Sequence, residues 1–256
     1  EPHVTAALAA GAHVLVERPL ALTAAAAQRL IRMAEKRDRV LMVGMNHRYR
    51  TDVQFVRSFI QSGELGRVES VRASWHVARP ARATMGWRQR REESGGGVML
   101  DLGLAILDLG MWLANWPEPL RVSASLVGGE GKGGVEQSGS VLVICGGGLS
   151  LFLDVTWRHI GGGERFGLGV RAAQGTAGIN PLHVWKELNG VATDVAPTGA
   201  TGRENAFTAS YRAEWAHFLA AIRGDAKPFD NGEQLILHRV MDAIYRSAAE
   251  GKDIAL

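Results

Sequence analysis

The sequence predicts two fold classes in succession. The first is an α/β beginning, half of a doubly wound unit; the second is an α+β domain with a large, mostly antiparallel open β-sheet flanked by helices. Three observations predict this. Residues 1–50 alternate short helical and apolar strand-like segments, which is the pattern of a parallel α/β layer. From about residue 68 the chain changes to a series of strand-like runs, many joined by short Gly-containing turns. Two amphipathic stretches close it. The expected domains are therefore 1–50 and 51–256, with the final helix, 232–250, packing back on the first.

Residues 3–10 form an Ala-rich helix stopped by Gly11. Val14, Leu15 and Val16 form a short strand that Pro19 ends, because proline cannot join a ladder. Thr23 is a suitable N-cap for a helix reaching about Arg37. Residues 40–43 are the next buried strand. Strands are expected at 68–77, 121–127, 140–144, 149–157, 166–172 and 184–188, interrupted by a helix at 98–113. The glycines at 128–129, 146–148 and 161–163 read as hairpin turns between strands. The last helices are expected at 206–223 and 232–250; Tyr211, Trp215, Phe218, Leu219 and Ile222 share one face of the first.

The composition narrows the function classes. The 256 residues are 46% hydrophobic and 21% charged, with a net charge of +3, as in an ordinary globular protein. Arginines alternate with acidic residues rather than forming a basic stripe, so nucleic acid is not an expected partner. Apolar stretches are broken by charges or Gly before they could span a bilayer, so no membrane partner is expected. No signal peptide is visible, and the expected location is cytoplasmic. The single cysteine, Cys145, rules out an internal disulfide and reads as a buried strand thiol. The histidines lack ligand spacing with carboxylates, so no metal site is expected.

Several segments carry a pattern in a fixed order. They are His3 to Pro19, ending in Glu17-Arg18-Pro19, and Val43-Gly44 followed by Asn46, His47, Arg48 and Tyr49. Next come Trp87-Arg88 and the run Gly95-Gly96-Gly97-Val98-Met99-Leu100-Asp101-Leu102-Gly103, continued by Asp108, Leu109 and Trp112. Tyr211, Glu214 and Phe218 follow, and the last helix ends at Ser247-Ala248-Ala249-Glu250-Gly251. In order and spacing this chain resembles the Gfo/Idh/MocA oxidoreductases over nearly all its length. The resemblance implies a Rossmann-domain remnant followed by a dehydrogenase C-terminal domain. It further implies hydride transfer between NAD or NADP and a CH–OH group of a sugar-like or polyol substrate, and a homo-oligomer paired through the large sheet.

The same comparison reveals three departures. The G-x-G-x-x-G fingerprint is absent from its required place, after a strand and opening a helix. The family's Glu-Lys-Pro is Glu17-Arg18-Pro19, and the position of its helical catalytic His is Ala105. Ala105 transfers no proton, and Arg18 stays charged, so Asp101 is the matched acid/base candidate. The expected catalytic residues are thus Arg18 and Asp101. Glu17, Arg18, Pro19 and Asn46 are expected to bind the cofactor, and Arg48, Trp87, Arg88, Asp101 and His159 the substrate. His47 and His159 are unmatched candidates for the missing base, and Trp157-Arg158-His159 stands at a strand end. The departures also favour an alternative: a non-catalytic substrate-binding or dimerisation module descended from the same family.

Overall fold

The computed structural model describes residues 1–78, 86–129, 134–197 and 205–256. The chain divides into two compact units. The first comprises Glu1–Thr51 and Thr201–Asp242, the second Asp52–Ala200 and Ala243–Leu256.

In chain order the elements begin with α1 (Pro2–Ala9), β1 (Val14–Glu17), α2 (Ala24–Lys36) and β2 (Leu41–Gly44), followed by a 3-10 turn at Asn46–Tyr49. Then come α3 (Thr51–Gln61), β3 (Val68–Ala78), a 3-10 turn at Gly86–Gln89, α4 (Arg91–Ser94), a π-helical turn at Met99–Gly103 and α5 (Leu104–Leu113). Strands β4 (Pro119–Val127), β5 (Ser138–Cys145), β6 (Ser150–His159), β7 (Arg165–Ala172), β8 (Gly175–Ile179), β9 (His183–Leu188) and β10 (Val191–Asp194) follow. Helices α6 (Ala206–Arg223) and α7 (Asn231–Glu250) and the short β11 (Ile254–Ala255) complete the chain.

In the first unit β1 and β2 pair in parallel, Val14 opposite Leu41 and Glu17 opposite Gly44, with α2 as the crossover. Thr23 caps α2 as expected: its hydroxyl accepts from the Ala26 N–H at 3.2 Å. Ala26, Ala27, Leu30, Ile31 and Ala34 form the buried stripe of that helix. The segment after β1 is tied to α7 by His238, whose ring nitrogens lie 2.6 Å from the Gln234 carbonyl and 3.0 Å from the Ala21 carbonyl.

The second unit is built on a nine-stranded sheet in the order β10-β9-β8-β7-β3-β6-β5-β4-β11. Among the described residues of this sheet only the β3–β6 pair is parallel, so the expected mostly antiparallel sheet is what forms. Residues alternate strictly in β6: Leu151, Leu153, Val155 and Trp157 are buried, while Phe152 and Asp154 are exposed. All of α5 is buried. It lies on the sheet at Gly110, where an added Cβ would meet a Leu151 methyl at 2.9 Å. The helical stretch Arg91–Leu113 is apolar enough to cross a membrane, but its most apolar window is 89% buried inside the protein.

Two local expectations are corrected, and two elements were not anticipated. Gly161–Gly163 do not close a hairpin: β6 and β7 both flank β3, so this connection crosses over the end of β3. The helix expected at 98–113 opens with the π-helical turn before becoming α5. Helix α3 lies at the start of the second expected domain, ahead of its first expected strand, with Val53, Val56 and Arg57 buried. Strand β8 reads poorly as a strand because of Gly175 and Gly178. Both positions have close neighbours: a Cβ on Gly175 would lie 2.5 Å from the Trp185 carbonyl oxygen, and one on Gly178 2.4 Å from the His183 ring.

Candidate active site

In the first unit the expected cofactor residues gather at the carboxyl ends of β1 and β2, where open α/β sheets take ligands. Glu17 is the last residue of β1 and its side chain is 67% exposed. Arg18 is 14% exposed and places Nη1 4.0 Å from the Glu17 carboxylate. The Arg18–Pro19 peptide is cis. Gly44 faces Glu17 in the ladder, and a Cβ there would stand 3.2 Å from Glu17 Oε2. The glycine therefore leaves room for that carboxylate.

The turn after β2 is locked rather than open. Asn46 is buried and donates to the Ser210 hydroxyl at 3.1 Å; Ser210 in turn donates to the Phe207 carbonyl at 2.6 Å. His47 is buried, its ring 5.9 Å from that of Phe207. Arg48, expected near substrate, is fully buried. Its Nη1 bonds to Glu233 at 2.7 Å and its guanidinium lies 4.4 Å from the Phe229 ring centre. Tyr49 meets His217 Nδ1 at 2.7 Å, and His217 Nε2 meets the Lys227 carbonyl at 2.7 Å. A carbonyl only accepts, so His217 Nε2 carries a hydrogen and donates it to Lys227. Tyr211 is a neighbour that the sequence reading placed only on a helix face. Burial raises its phenol pKa, Glu17 raises it further, and Arg18 opposes both. The phenol therefore stays protonated at neutral pH.

In the second unit Asp101 lies within the π-helical turn, a feature that recurs at functional sites. Its carboxylate Oδ2 accepts from the Trp157 indole N–H at 3.2 Å. Ala105 is 3% exposed within α5, and Asp108 is also buried. Trp87 is 51% exposed, with the Arg88 guanidinium 4.8 Å from its ring centre. His159 ends β6; its ring lies 5.9 Å from that of His76, which bonds Asp154 at 2.7 Å. A direct partner of Asp101 in this unit is thus Trp157, two residues before His159, which was expected among the substrate residues.

Glu136 is the residue that sequence reasoning missed entirely. It is 3% exposed, and its Oε1 accepts from Gly97 N–H at 2.8 Å, Met99 N–H at 3.2 Å and the Tyr245 hydroxyl at 2.8 Å. Burial and the neighbouring carboxylate of Glu136 raise the Tyr245 phenol pKa well above its ordinary value. The glycine run is the one available signal. A Cβ on Gly97 would lie 2.0 Å from the Glu136 carbonyl oxygen, and one on Gly96 2.3 Å from the Tyr245 hydroxyl. Among the described residues no group of His, Cys, Asp and Glu forms a metal site.

Two family models match the chain. Residues 1–45 match the oxidoreductase family NAD-binding Rossmann fold, and residues 53–176 match the GFO/IDH/MocA C-terminal domain. The two matches describe part of a Rossmann domain followed by an open-sheet domain. The chain belongs to the Gfo/Idh/MocA oxidoreductase family. It is 33% identical over 126 residues to D-glucoside 3-dehydrogenase from Escherichia coli K12, covering 48% of this chain and 34% of that one. It is 36% identical over 133 residues to 1,5-anhydro-D-fructose reductase from Ensifer adhaerens, covering 51% and 39%. The matched parts are thus well under half the length of either relative. Among solved structures, GenD2 from gentamicin A biosynthesis in complex with NAD superposes with a TM-score of 0.81 at 25% identity, covering 100% of this chain and 74% of that one. Levoglucosan dehydrogenase in complex with NADH and levoglucosan superposes with a TM-score of 0.86 at 20% identity, covering 98% and 75%.

Proposed function

We propose that this protein is an oxidoreductase that moves hydride between NAD or NADP and the CH–OH group of a sugar-like or polyol substrate. The observation that carries the reading is the placement of Glu17 and Arg18 at the carboxyl end of a parallel strand, with Gly44 leaving space beside them. Those residues suit the ribose and nicotinamide end of a dinucleotide. Glu17 has an exposed carboxylate for a hydroxyl group, with Pro19 and Asn46 shaping the same strand ends. No G-x-G-x-x-G among these 256 residues follows a strand and opens a helix, so this reading rests on the ribose and nicotinamide end alone.

The bound cofactor supplies the hydride acceptor. In oxidation, Asp101 takes the hydroxyl proton as hydride leaves the carbon, giving a carbonyl product. Arg18 stays charged and stabilises developing negative charge on the substrate oxygen without shuttling a proton. Trp157 fixes the orientation of Asp101. Trp87, Arg88 and His159 border the substrate, whereas Arg48 acts from inside by holding the turn after β2. The protein works in the cytoplasm as a homo-oligomer paired through the open sheet face. That face carries a shallow cavity of about 700 Å³ lined by Arg72, Ser74, Ser140, Phe152 and Asp154.

A second reading rests on Ala105. It is buried in α5, where the family resemblance expects a catalytic His, and Arg18 replaces the expected Lys. On that reading the chain is a non-catalytic substrate-binding or dimerisation module. Calorimetric titration of the folded chain with NADH and NADPH separates the two. Micromolar binding supports the oxidoreductase; no binding at millimolar cofactor removes it and leaves the module.

A further inference from the structure

We propose that Glu136 is the positioning residue for Asp101, acting through the start of the helix that carries it. The role given to Asp101 rests on the function proposed above. Three consecutive amides open that helical segment, and Glu136 takes all of them. Its Oε1 accepts from Gly97 at 2.8 Å and Met99 at 3.2 Å, and its own carbonyl accepts from Val98 at 3.0 Å. A carboxylate among orphan N–H groups is the favoured charge at a helix start, and ion-assisted bonds are about twice as strong as neutral ones.

The same short segment holds the other half of the Asp101 pair. The carbonyl of Gln137 accepts from the Trp157 backbone N–H at 2.9 Å, and Trp157 then donates its indole N–H to Asp101 at 3.2 Å. Asp101 N–H itself bonds back to the Gly97 carbonyl at 3.1 Å. Residues 136 and 137 therefore fix both the backbone turn beneath the carboxylate and the indole that aims it. Tyr245 adds a hydroxyl donor to Glu136 at 2.8 Å. Glu136 Oε2 is buried without a hydrogen bond among the described residues, with Arg91 Nη2 3.8 Å away. The bare backbones of Gly96 and Gly97 permit this approach, because side chains there would collide with Tyr245 and Glu136.

The test uses the full chain labelled with ¹⁵N, reading the Trp157 indole N–H resonance assigned by Trp157→Phe. Asp101→Asn sets the direction in which that resonance moves when the pair is altered. Glu136→Ala is expected to move it the same way, leave the other tryptophan resonances in place, and speed exchange of the Gly97 and Met99 amides by about tenfold. Glu136→Gln, which keeps an acceptor oxygen, is expected to bring the resonance back towards its native position. If the alanine chain does not fold, Tyr245→Phe decides in its place, with a smaller displacement along the same line expected. An unmoved Trp157 resonance in a folded variant with accelerated Gly97 and Met99 exchange would overturn the proposal, leaving Glu136 as a helix cap only. None of these signals involves cofactor, so a failure of NADH binding would remove the oxidoreductase reading and leave this result intact.

Discussion

Trp157 donates its indole N–H to Oδ2 of Asp101 across 3.2 Å, joining β6 to the π-helical turn. An indole N–H can only donate, so the Asp101 carboxylate oxygen is the acceptor of this contact. Trp157 is 4% exposed, and its backbone N–H is bonded to the Gln137 carbonyl at 2.9 Å, which leaves it little freedom to turn away. Asp101 is thus held in one orientation by a rigid neighbour, the arrangement a catalytic group needs.

The first prediction separates the chemistry of Asp101 from its setting. Asp101→Asn keeps the size and an acceptor for Trp157 but cannot take a proton. With a panel of sugars and cyclitols followed by nicotinamide absorbance, kcat/KM is expected to fall by about 10²–10⁴-fold. Trp157→Phe leaves the carboxylate and removes the donor, and a smaller loss of about tenfold is expected. Equal losses in the two variants would mean that Asp101 serves the fold rather than the reaction.

The second prediction concerns the glycine run. In Gly97→Ala the new methyl would lie 2.0 Å from a backbone oxygen, which no rotamer change can relieve. A destabilisation of about 3 kcal/mol is expected from urea unfolding midpoints. Gly162→Ala is the control, since nothing lies within 4 Å of its would-be Cβ. Its effect should stay within about 0.5 kcal/mol. A similar cost at both positions would show that the loss comes from backbone entropy and not from the Glu136 contact.

Elements with a local signal were legible in the sequence, and those made by distant partners were not. Thr23 stands where its helix needs a cap, and β6 alternates apolar and polar residues in register with its two faces. Strand β8 has no such signal: Gly175 and Gly178 have poor strand propensity, and it is the flanking β7 and β9 that make the segment extended. Glu136 reads as a loop carboxylate because its helix-start partners lie 39 and 37 positions away. Arg48 reads as a surface or substrate-facing arginine because Glu233, which allows it to be buried, lies 185 positions along the chain. Asp101 was legible as a candidate through its motif; its Trp157 partner required the three-dimensional pairing.

The third prediction follows from that buried arginine. Arg48→Ala strands the Glu233 carboxylate, whose side chain is 16% exposed, and removes the guanidinium stacked on Phe229. Breaking a buried pair from one side costs about 3–5 kcal/mol, and thermal or urea unfolding should show a loss of that order. The double change Arg48→Met with Glu233→Leu removes both charges together and should recover much of the loss. If the double variant is no better than the single one, the pair contributes through shape and packing rather than through charge.

The fourth prediction is a pH dependence with a defined sign. Burial pushes the Cys145 thiol from its ordinary value of 9.0 up to about 12. The folded state therefore holds its proton more tightly than the unfolded chain does. The stability this contributes is present in full below pH 9 and is lost as pH rises towards 12. At neutral pH the folded protein should resist alkylation by iodoacetamide, because the thiolate is the nucleophile, and should react once unfolded in urea. Between pH 9 and 11, Cys145→Ala should flatten the fall of the melting temperature with pH. The buried phenol of Tyr245 is raised in the same direction and leaves a residual slope. Rapid alkylation of the folded chain at pH 7, or an unchanged slope in the alanine variant, would show that Cys145 is reached by solvent and does not couple to folding.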